Sequence, residues 1–150
     1  MNEPFRKLTD NVFAAPQIGI AEIAVAKTLG VTLIINNRPD GEEPSAPQGD
    51  EIEAAAKAAG LAYCAIPVTH AGFAQWQLLA MAEALANCEG KTLAYCRSGT
   101  RSTLLWALAQ AKSGMHPAEI TERAAKAGYD VAPIAMMIDT LAGQAANEKG

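Results

Sequence analysis

Three short apolar runs, each followed by a turn and a helical pattern, constrain the fold more than any other feature of this sequence. They are Val31 to Ile35, Leu61 to Ile66 and Thr92 to Tyr95, and a fourth run, Asn11 to Ala15, precedes them. The run VTLII is almost wholly apolar and rich in β-branched residues, which is typical of a strand buried on both faces of a parallel sheet. Strands that alternate with helices at intervals of about thirty residues predict a parallel sheet covered by helices.

Helical patterns occupy the segments between and after these runs. In the clearest of them, apolar side chains recur at i, i+3, i+4 and i+7. The predicted helices are Gln17 to Leu29, Asp50 to Gly60, Phe73 to Ala86, Ser102 to Ser113, Pro117 to Ala127, and a last helix capped by Asp130. We therefore expect an α/β protein with a central parallel or mostly parallel sheet of four to five strands flanked by helices, in a single domain over residues 1–150.

The composition argues against several classes of function. The chain of 150 residues has a net charge of −4, no basic run and only 5% aromatic residues, which argues against a nucleic-acid partner. Its three cysteines are irregularly spaced, which argues against a disulfide framework. No stretch approaches membrane-spanning length, and MNEPFRKLTD lacks the apolar segment of a signal peptide. We expect a cytoplasmic protein without membrane association; the oligomeric state does not follow from the sequence.

The segment Thr92 to Ser102, TLAYCRSGTRS, joins a predicted strand to a helix through a loop that begins with Cys96. Ligands of parallel sheets bind at the carboxyl ends of the strands, so this loop is the candidate active site. A helix N-terminus and a nearby cation favour the thiolate, which is the nucleophilic form of cysteine. Gly99 lets the backbone curl into a nest of N–H groups that binds an anion. We predict Cys96 and Arg101 to be catalytic, and these loop residues to bind substrate: Arg97, Ser98, Gly99, Thr100 and Ser102.

The loop leaves several alternatives open. Ser102 is expected to donate its hydroxyl to the thiolate, to cap the following helix, or to do both. The nest and Arg101 would bind either a phosphate or a sulfur oxyanion. Cys96 could instead be a buried structural cysteine, or the loop could bind an anion without catalysis. A core cysteine, however, does not need two arginines and a glycine within the next five residues.

At these residues the chain resembles known families. CRSGTRS is similar to the active-site loop of single-domain rhodaneses, the thiosulfate sulfurtransferases. VFAAPQI, LGVTLIINNRPDGEEP and LAYCAIPVTHAG resemble the dual-specificity-phosphatase-like domain found alone or fused to β-lactamase-like hydrolases, which is labelled either phosphatase-like or sulfur transferase. The resemblance extends from about Phe5 to Ser113. It implies a three-layer cysteine-phosphatase-like fold, and it leaves the reaction open.

Two departures from the phosphatase pattern bear on the reaction. Cys96 to Arg101 is Cys-x4-Arg, one residue shorter than the Cys-x5-Arg of the phosphatases that the chain resembles, and Tyr95 replaces their histidine. Those phosphatases protonate the leaving oxygen with an aspartate on an earlier loop, whereas the matching stretch, Ile66 to Phe73, has no carboxylate. The shorter loop favours sulfur transfer because it makes a tighter ring of amides, and rhodanese-like loops hold a terminal sulfur in such a ring. The missing acid favours it because a sulfite or sulfinate leaves readily as an anion.

Two residues remain as proton donors. His70 is the only titratable residue between Ile66 and Phe73; it is expected to act as an acid or to orient substrate, and an inert loop histidine is the alternative. Asp40, on another loop at the same edge of the sheet, is a weaker candidate.

We therefore predict a cysteine-dependent sulfurtransferase that moves sulfane sulfur from thiosulfate or a persulfide to a thiol or cyanide through a Cys96 persulfide. Its partners would be a small anionic sulfur donor and a thiol acceptor, and a persulfide-dioxygenase-like protein could work beside it. No cofactor or metal is expected. The alternatives are a phosphatase with a Cys96 phospho-enzyme, and a non-enzymatic sensor of anions or oxidation state.

The remaining features have less specific interpretations. Cys64 is expected to pack in the core, with a resolving thiol as the alternative. A Cys88–Cys96 disulfide is predicted to be absent, because eight extended residues span roughly 26 Å. Trp76 and Trp106 are expected to pack in the core.

Two further segments each have two interpretations. The loop from Asn36 to Gly49 is either a lid or specificity element at the ligand-binding edge or a solvated acidic loop. The last helix, with Met136 and Met137, either covers the core or forms part of a dimer contact.

Overall fold

A computed structural model of the protein describes residues 5–69 and 72–149. The strands are β1 Arg6–Thr9, β2 Val12–Ala15, β3 Val31–Asn36, β4 Ala62–Ala65 and β5 Lys91–Tyr95. The helices are α1 Ile20–Thr28, α2 Gly49–Ala58, α3 Gln75–Asn87, α4 Thr100–Lys112, α5 Pro117–Lys126 and α6 Ala135–Lys149, and a 3-10 turn at Ala132–Ile134 precedes α6. The predicted strands and helices are present, with ends that differ by a few residues.

The five strands form one sheet in the order β1-β2-β5-β3-β4. β2, β5, β3 and β4 run parallel to one another, which confirms the predicted mostly parallel sheet. β1 was not predicted; it pairs antiparallel with β2 at the edge. Its sequence, RKLT, has two exposed cations and no alternation that marks a strand, so only the pairing with β2 identifies it.

Helices cover both faces of the sheet, so that the fold has three layers. Successive residues of β3 point to opposite cores: Ile34 packs with Ile23 and Ile52 on the side of α1 and α2, and Ile35 packs with Trp106 on the side of α3 to α6. This burial on both faces explains why VTLII is almost wholly apolar. α4 lies at the centre of its layer, and the core residues Leu105 to Ala109 have at most 1% of their surface exposed.

Some side chains lie elsewhere than predicted. Trp106 is fully buried, as expected, but Trp76 is 55% exposed on α3, so its predicted core position is wrong. Helical spacing places a residue in a helix without saying which face meets the sheet. The last helix covers the core through Ile138, which is buried, and Leu141, which packs against it. Met136 and Met137 are 84% and 42% exposed on the same helix, and a role in a dimer contact stays a prediction.

The carboxyl ends of the parallel strands β5, β3 and β4 lie level at one edge of the sheet. Asn36, the last residue of β3, is in register with Tyr95 at the end of β5 and with Ala65 at the end of β4. The loops that follow these strands therefore converge on Cys96. Within the described residues, no helix has the length and apolar character needed to cross a membrane.

Candidate active site

Cys96 follows β5 directly and is fully buried. Its backbone N–H donates to the carbonyl of Ala15 in β2 at 3.3 Å, which ties the start of the loop to the neighbouring strand. The N–H of Gly99 donates to Cys96 Sγ at 3.1 Å, as expected for an amide of an anion nest. Cys96 has no exposed surface in this conformation.

Gly99 turns the chain from this loop into α4. Its φ of +91° lies in the left-handed region, which favours glycine. Its carbonyl accepts hydrogen bonds from the N–H of Thr103 at 3.0 Å and from the hydroxyl of Thr103 at 2.8 Å. The helix therefore begins at Thr100, two residues before the predicted start, and Gly99 holds the cap position. The predicted capping role of Ser102 is wrong, because Ser102 lies inside the first turn.

Ser102 contacts Asn37, which the sequence did not single out. The hydroxyl of Ser102 donates to Asn37 Oδ1 at 2.7 Å, and both residues are fully buried. Asn37 Nδ2 donates to the carbonyl of Ile66 at 2.9 Å, and the N–H of Asn37 donates to the carbonyl of Tyr95 at 2.8 Å. One asparagine thus joins the ends of β3, β4 and β5, and Ser102 directs its hydroxyl at this asparagine instead of at the thiolate.

Arg101 reaches from the first turn of α4 to the loops after β3 and β4. Its Nη1 donates to Glu42 Oε2 at 2.8 Å and to the carbonyl of Val68 at 2.7 Å, and its Nη2 donates to Glu42 Oε1 at 2.7 Å. The hydrogen bonds to Glu42 raise the pKa of the Arg101 guanidinium, and negative charge on the nearby Cys96 adds to the rise although burial opposes it. The structure therefore brings together the two residues predicted to be catalytic.

Glu42 is held by a second arginine. Arg38, whose side chain is only 6% exposed, donates from Nε to Glu42 Oε1 at 2.7 Å and from Nη1 to Gln17 Oε1 at 2.9 Å. Hydrogen bonding from Arg101, and after it from Arg38, lowers the pKa of Glu42 to about 2, although burial acts in the opposite direction. The carboxylate that contacts Arg101 is therefore ionised at neutral pH and has no proton to donate.

Tyr129, in the turn after α5, packs against the catalytic loop. Its hydroxyl donates to the carbonyl of Ser98 at 3.1 Å and lies where a Cβ on residue 99 would have to be. Burial raises the pKa of Tyr129, and charge on Cys96 adds to the rise. Gly99 is thus required both for its backbone angle and for the space that Tyr129 occupies.

The other predicted loop residues lie at the surface. The carbonyl of Arg97 accepts a hydrogen bond from the N–H of Gln17 at 3.2 Å. Arg97 itself is exposed. The hydroxyl of Ser98 donates to Thr100 Oγ1 at 2.9 Å, which closes a local turn. The roles of these three residues in binding substrate stay predictions.

Three further residues were singled out from the sequence: His70 and Asp40 as candidate proton donors, and Cys64 as a core residue or resolving thiol. His70 lies outside the described residues. Asp40 Oδ1 accepts a hydrogen bond from the N–H of Gly49 at 2.9 Å, so this carboxylate holds the start of α2. Cys64 is partly buried in β4 and packs against the core, where burial raises the pKa of its thiol. All three cysteines are free.

The chain is similar to proteins that are considerably longer. It is 41% identical over 103 residues to a β-lactamase hydrolase-like protein of Xylella fastidiosa, covering 68% of this chain and 24% of that protein. It is 32% identical over 126 residues to the protein of that name from Agrobacterium fabrum, covering 83% of this chain and 29% of that protein. The chain therefore spans about a quarter of the length of these relatives.

Solved structures share the fold. A protein of Neisseria meningitidis described as a candidate phosphatase is 32% identical, with a TM-score of 0.81 over 93% of this chain and 99% of that one. PTPMT1, solved in complex with PI(5)P, has a TM-score of 0.78 over 99% of this chain and all of that one. At 14% identity, the second likeness concerns the fold alone, and it confirms the cysteine-phosphatase-like architecture.

A family model described as the phosphatase-like domain of β-lactamase hydrolase-like proteins matches residues 4–113. This range contains Glu42, Arg38 and the catalytic loop, whereas Tyr129 lies beyond it. The match confirms the resemblance found from LGVTLIINNRPDGEEP and YCRSGTRS. The chain belongs to the phosphatase-like domain family of the β-lactamase hydrolase-like proteins.

Proposed function

We propose that this protein is a sulfurtransferase whose nucleophile is Cys96. The thiolate attacks the outer sulfur of thiosulfate, the sulfur–sulfur bond of the donor breaks, and sulfite leaves with the electron pair. Cys96 is then a persulfide. A thiolate or cyanide attacks the outer sulfur of that persulfide and takes it, which regenerates the Cys96 thiolate. Arg101 binds the anionic end of the donor, and the N–H of Gly99 supports charge on sulfur.

The observation that carries this proposal is the absence of a carboxylate from the stretch Ile66 to Phe73, and the ionised state of Glu42 agrees with it. A phosphate ester needs a proton for its leaving alkoxide, and Glu42, which contacts Arg101, is ionised at neutral pH because its pKa is about 2. Sulfite needs no proton to leave. The shorter Cys-x4-Arg spacing supports the same choice, because a tighter loop fits a single sulfur atom better than a phosphate group.

A phosphatase is the second candidate, and the comparisons favour it. The family is described as phosphatase-like, and the relative from Neisseria meningitidis at 32% identity is described as a phosphatase. In this reaction Cys96 would attack phosphorus, Arg101 would bind the phosphoryl oxygens, and water would release phosphate. His70 would have to supply the proton, and its role as an acid stays a prediction.

A paired assay separates the two candidates. Purified protein receives thiosulfate with cyanide in one reaction and an aryl phosphate in the other. We expect thiocyanate from the wild-type protein, none from Cys96→Ser, and at least about tenfold less from Arg101→Lys, because lysine cannot form a bidentate contact with an anion. Phosphate release without thiocyanate would overturn the proposal in favour of the phosphatase, and neither product would favour the sensor.

The same proposal includes the cellular compartment of the protein and a partner protein. Free cysteines persist in reducing compartments, which supports a cytoplasmic protein. The relatives are about four times as long as the matched segment and are named for a hydrolase. We infer that a protein of the persulfide-dioxygenase type supplies or consumes the sulfur that Cys96 carries.

A further inference from the structure

Glu42 contacts the catalytic arginine but takes no part in the reaction proposed above. We propose that Glu42 is a positioning residue, which holds the Nη1–Nη2 edge of Arg101 so that the Nε–Nη2 edge stays free for the anionic group of the substrate. This inference deepens the proposed function and rests on it to the extent that Arg101 binds the substrate anion.

The hydrogen bonds of Arg101 show which edge is free. A guanidinium has one N–H on Nε and two on each Nη. Both N–H groups of Nη1 are used, by Glu42 and by the carbonyl of Val68, and one N–H of Nη2 is used by Glu42. Neither Glu42 nor Val68 uses the N–H of Nε or the second N–H of Nη2, and these two lie parallel on one edge. Such an edge matches two oxygens of a sulfonate or phosphate.

Arg101 lies beside the reacting atom. The N–H of Gly99 donates to the Cys96 sulfur at 3.1 Å, Arg101 follows two residues later in the first turn of α4, and a side-chain hydrogen bond with Cys96 contributes to the raised pKa of Arg101. The Nη1–Nη2 edge points to Glu42 and Val68, on the loops after β3 and β4. An anion bound to the free edge would therefore be held between Arg101 and the sulfur that attacks it.

A carboxylate on a substrate-binding arginine could instead be a gate that the substrate displaces. The contacts of Glu42 argue against this. Glu42 accepts hydrogen bonds from Nη1 and Nη2 of Arg101 and from Nε of Arg38, all within 2.8 Å. Displacing it would break three charge-assisted bonds and leave Nε of Arg38 unpaired in a side chain that is 6% exposed. Because Arg38 is buried while Glu42 is 23% exposed, leaving Arg38 without this partner is the main cost of moving Glu42, and Glu42 is expected to stay in place when the anion binds.

Alkylation of Cys96 by two reagents of similar size tests the proposal. Iodoacetate carries a carboxylate that needs the free edge of Arg101, and neutral iodoacetamide does not. The rates are measured at Cys96 by peptide mass spectrometry, because Cys64 and Cys88 are partly buried thiols that also react. The ratio of the two rates reports anion recognition, and the iodoacetamide rate alone reports access to the sulfur.

We expect Glu42→Gln to lower the iodoacetate-to-iodoacetamide ratio about tenfold, the size of effect expected from losing one charge-assisted contact. The iodoacetamide rate should stay within about twofold of wild type. Glu43→Gln is the matched control, because Glu43 is the neighbouring glutamate and contacts Arg38 at 3.3 Å. It should leave the ratio unchanged.

Two results would overturn the inference: an unchanged ratio in Glu42→Gln, or a rise in both rates, which a gate would produce. If Glu42→Gln does not fold, Glu42→Asp keeps the charge on a shorter side chain, and an unchanged ratio in that variant would equally overturn it. Alkylation does not depend on sulfur transfer. A lowered ratio together with a failed thiocyanate assay would reject the proposed function and leave the role of Glu42 standing.

Discussion

The loops after β3 and β4 both contact the active site, but they do so with different parts of the chain. The loop after β3, residues 37–48, contributes side chains: Asn37 binds Ser102, and Glu42 binds Arg101. The described part of the loop after β4 contributes main-chain carbonyls, from Ile66 to Asn37 and from Val68 to Arg101.

This difference assigns separate tasks to the two loops. A carbonyl can fix the position of a donor, but it carries no formal charge. A carboxylate fixes position and charge together, and Glu42 does so for the catalytic arginine. In phosphatases of the kind that the chain resembles, the loop after the earlier strand supplies the acid. Here the charged contact comes from the loop after β3, and it is ionised.

If the loop after β3 sets the charge of the site, replacing Arg38 should have the largest effect on stability. Arg38→Leu removes a buried partner of Glu42 and Gln17 and should lower the free energy of unfolding by about 3 kcal/mol. Urea unfolding measures this. Arg97→Leu, at an exposed arginine, is the control and should change stability by less than about 0.5 kcal/mol. Equal losses of stability in Arg38→Leu and Arg97→Leu would show that the contacts of Arg38 in the loop after β3 do not stabilise the fold.

Glu42 should also make stability depend on pH. Its pKa is about 2 in the folded protein against an ordinary 4.5, so between these values the unfolded chain binds the extra proton. Glu42 therefore stabilises the fold above about pH 4.5, and this contribution is lost as the pH falls towards about 2. The difference in unfolding free energy between wild type and Glu42→Gln should shrink between pH 6 and pH 3. A difference that stays constant over this range would contradict the ion pair.

Replacing Ser102 tests whether its hydrogen bond to Asn37, the asparagine that joins the ends of three strands, stabilises the fold. Ser102→Ala leaves Asn37 Oδ1 buried without the donor it has in the wild type, which should lower the free energy of unfolding by about 1.5 kcal/mol. Ser98→Ala removes an exposed hydroxyl and is the matched control, with an expected change below about 0.5 kcal/mol. Thermal or urea unfolding distinguishes them, and similar losses in both would show that Asn37 does not depend on Ser102.

The smallest effect is expected in the loop after β4. Because sulfur transfer needs no acid, His70→Ala should keep thiocyanate production within about twofold of wild type, whereas loss of a general acid typically costs about 100-fold or more. A loss of that size would show that His70 acts as a general acid and that the loops after β3 and β4 both contribute to the reaction.

The sequence predicted the fold well where burial dictates the residues. β3 is recognisable because both of its faces are buried, and Cys96 is recognisable because the strand, the glycine and the arginines are adjacent in sequence. β1 was missed because an edge strand with exposed Arg6 and Lys7 carries no periodic signal. The sequence does not show which face of α3 meets the sheet, so the exposure of Trp76 is visible only in the structure.

The site residues that the sequence did not reveal were missed for a different reason. Glu42 lies 59 residues from Arg101, and Asn37 lies 65 residues from Ser102. Nothing local to NNRPDGEEP distinguishes a carboxylate that binds an arginine across the sheet edge from one that faces solvent. Tyr129 was missed for the same reason, since its contact with Ser98 is visible only once the turn after α5 is placed. Glu42 connects the loop over residues 36–49 to Arg101, although residues 40–45 are exposed, and the role of this loop as a lid or specificity element stays a prediction.

The central claim is that Cys96 carries sulfur, and the intact mass of the protein tests it most directly. Wild type and Cys96→Ser are exposed to thiosulfate, separated from it, and weighed before and after treatment with a reductant. We predict that wild type gains about one sulfur atom, which the reductant removes, and that Cys96→Ser gains none. An unchanged mass in wild type, with release of phosphate from an aryl phosphate by the same preparation, would contradict the account.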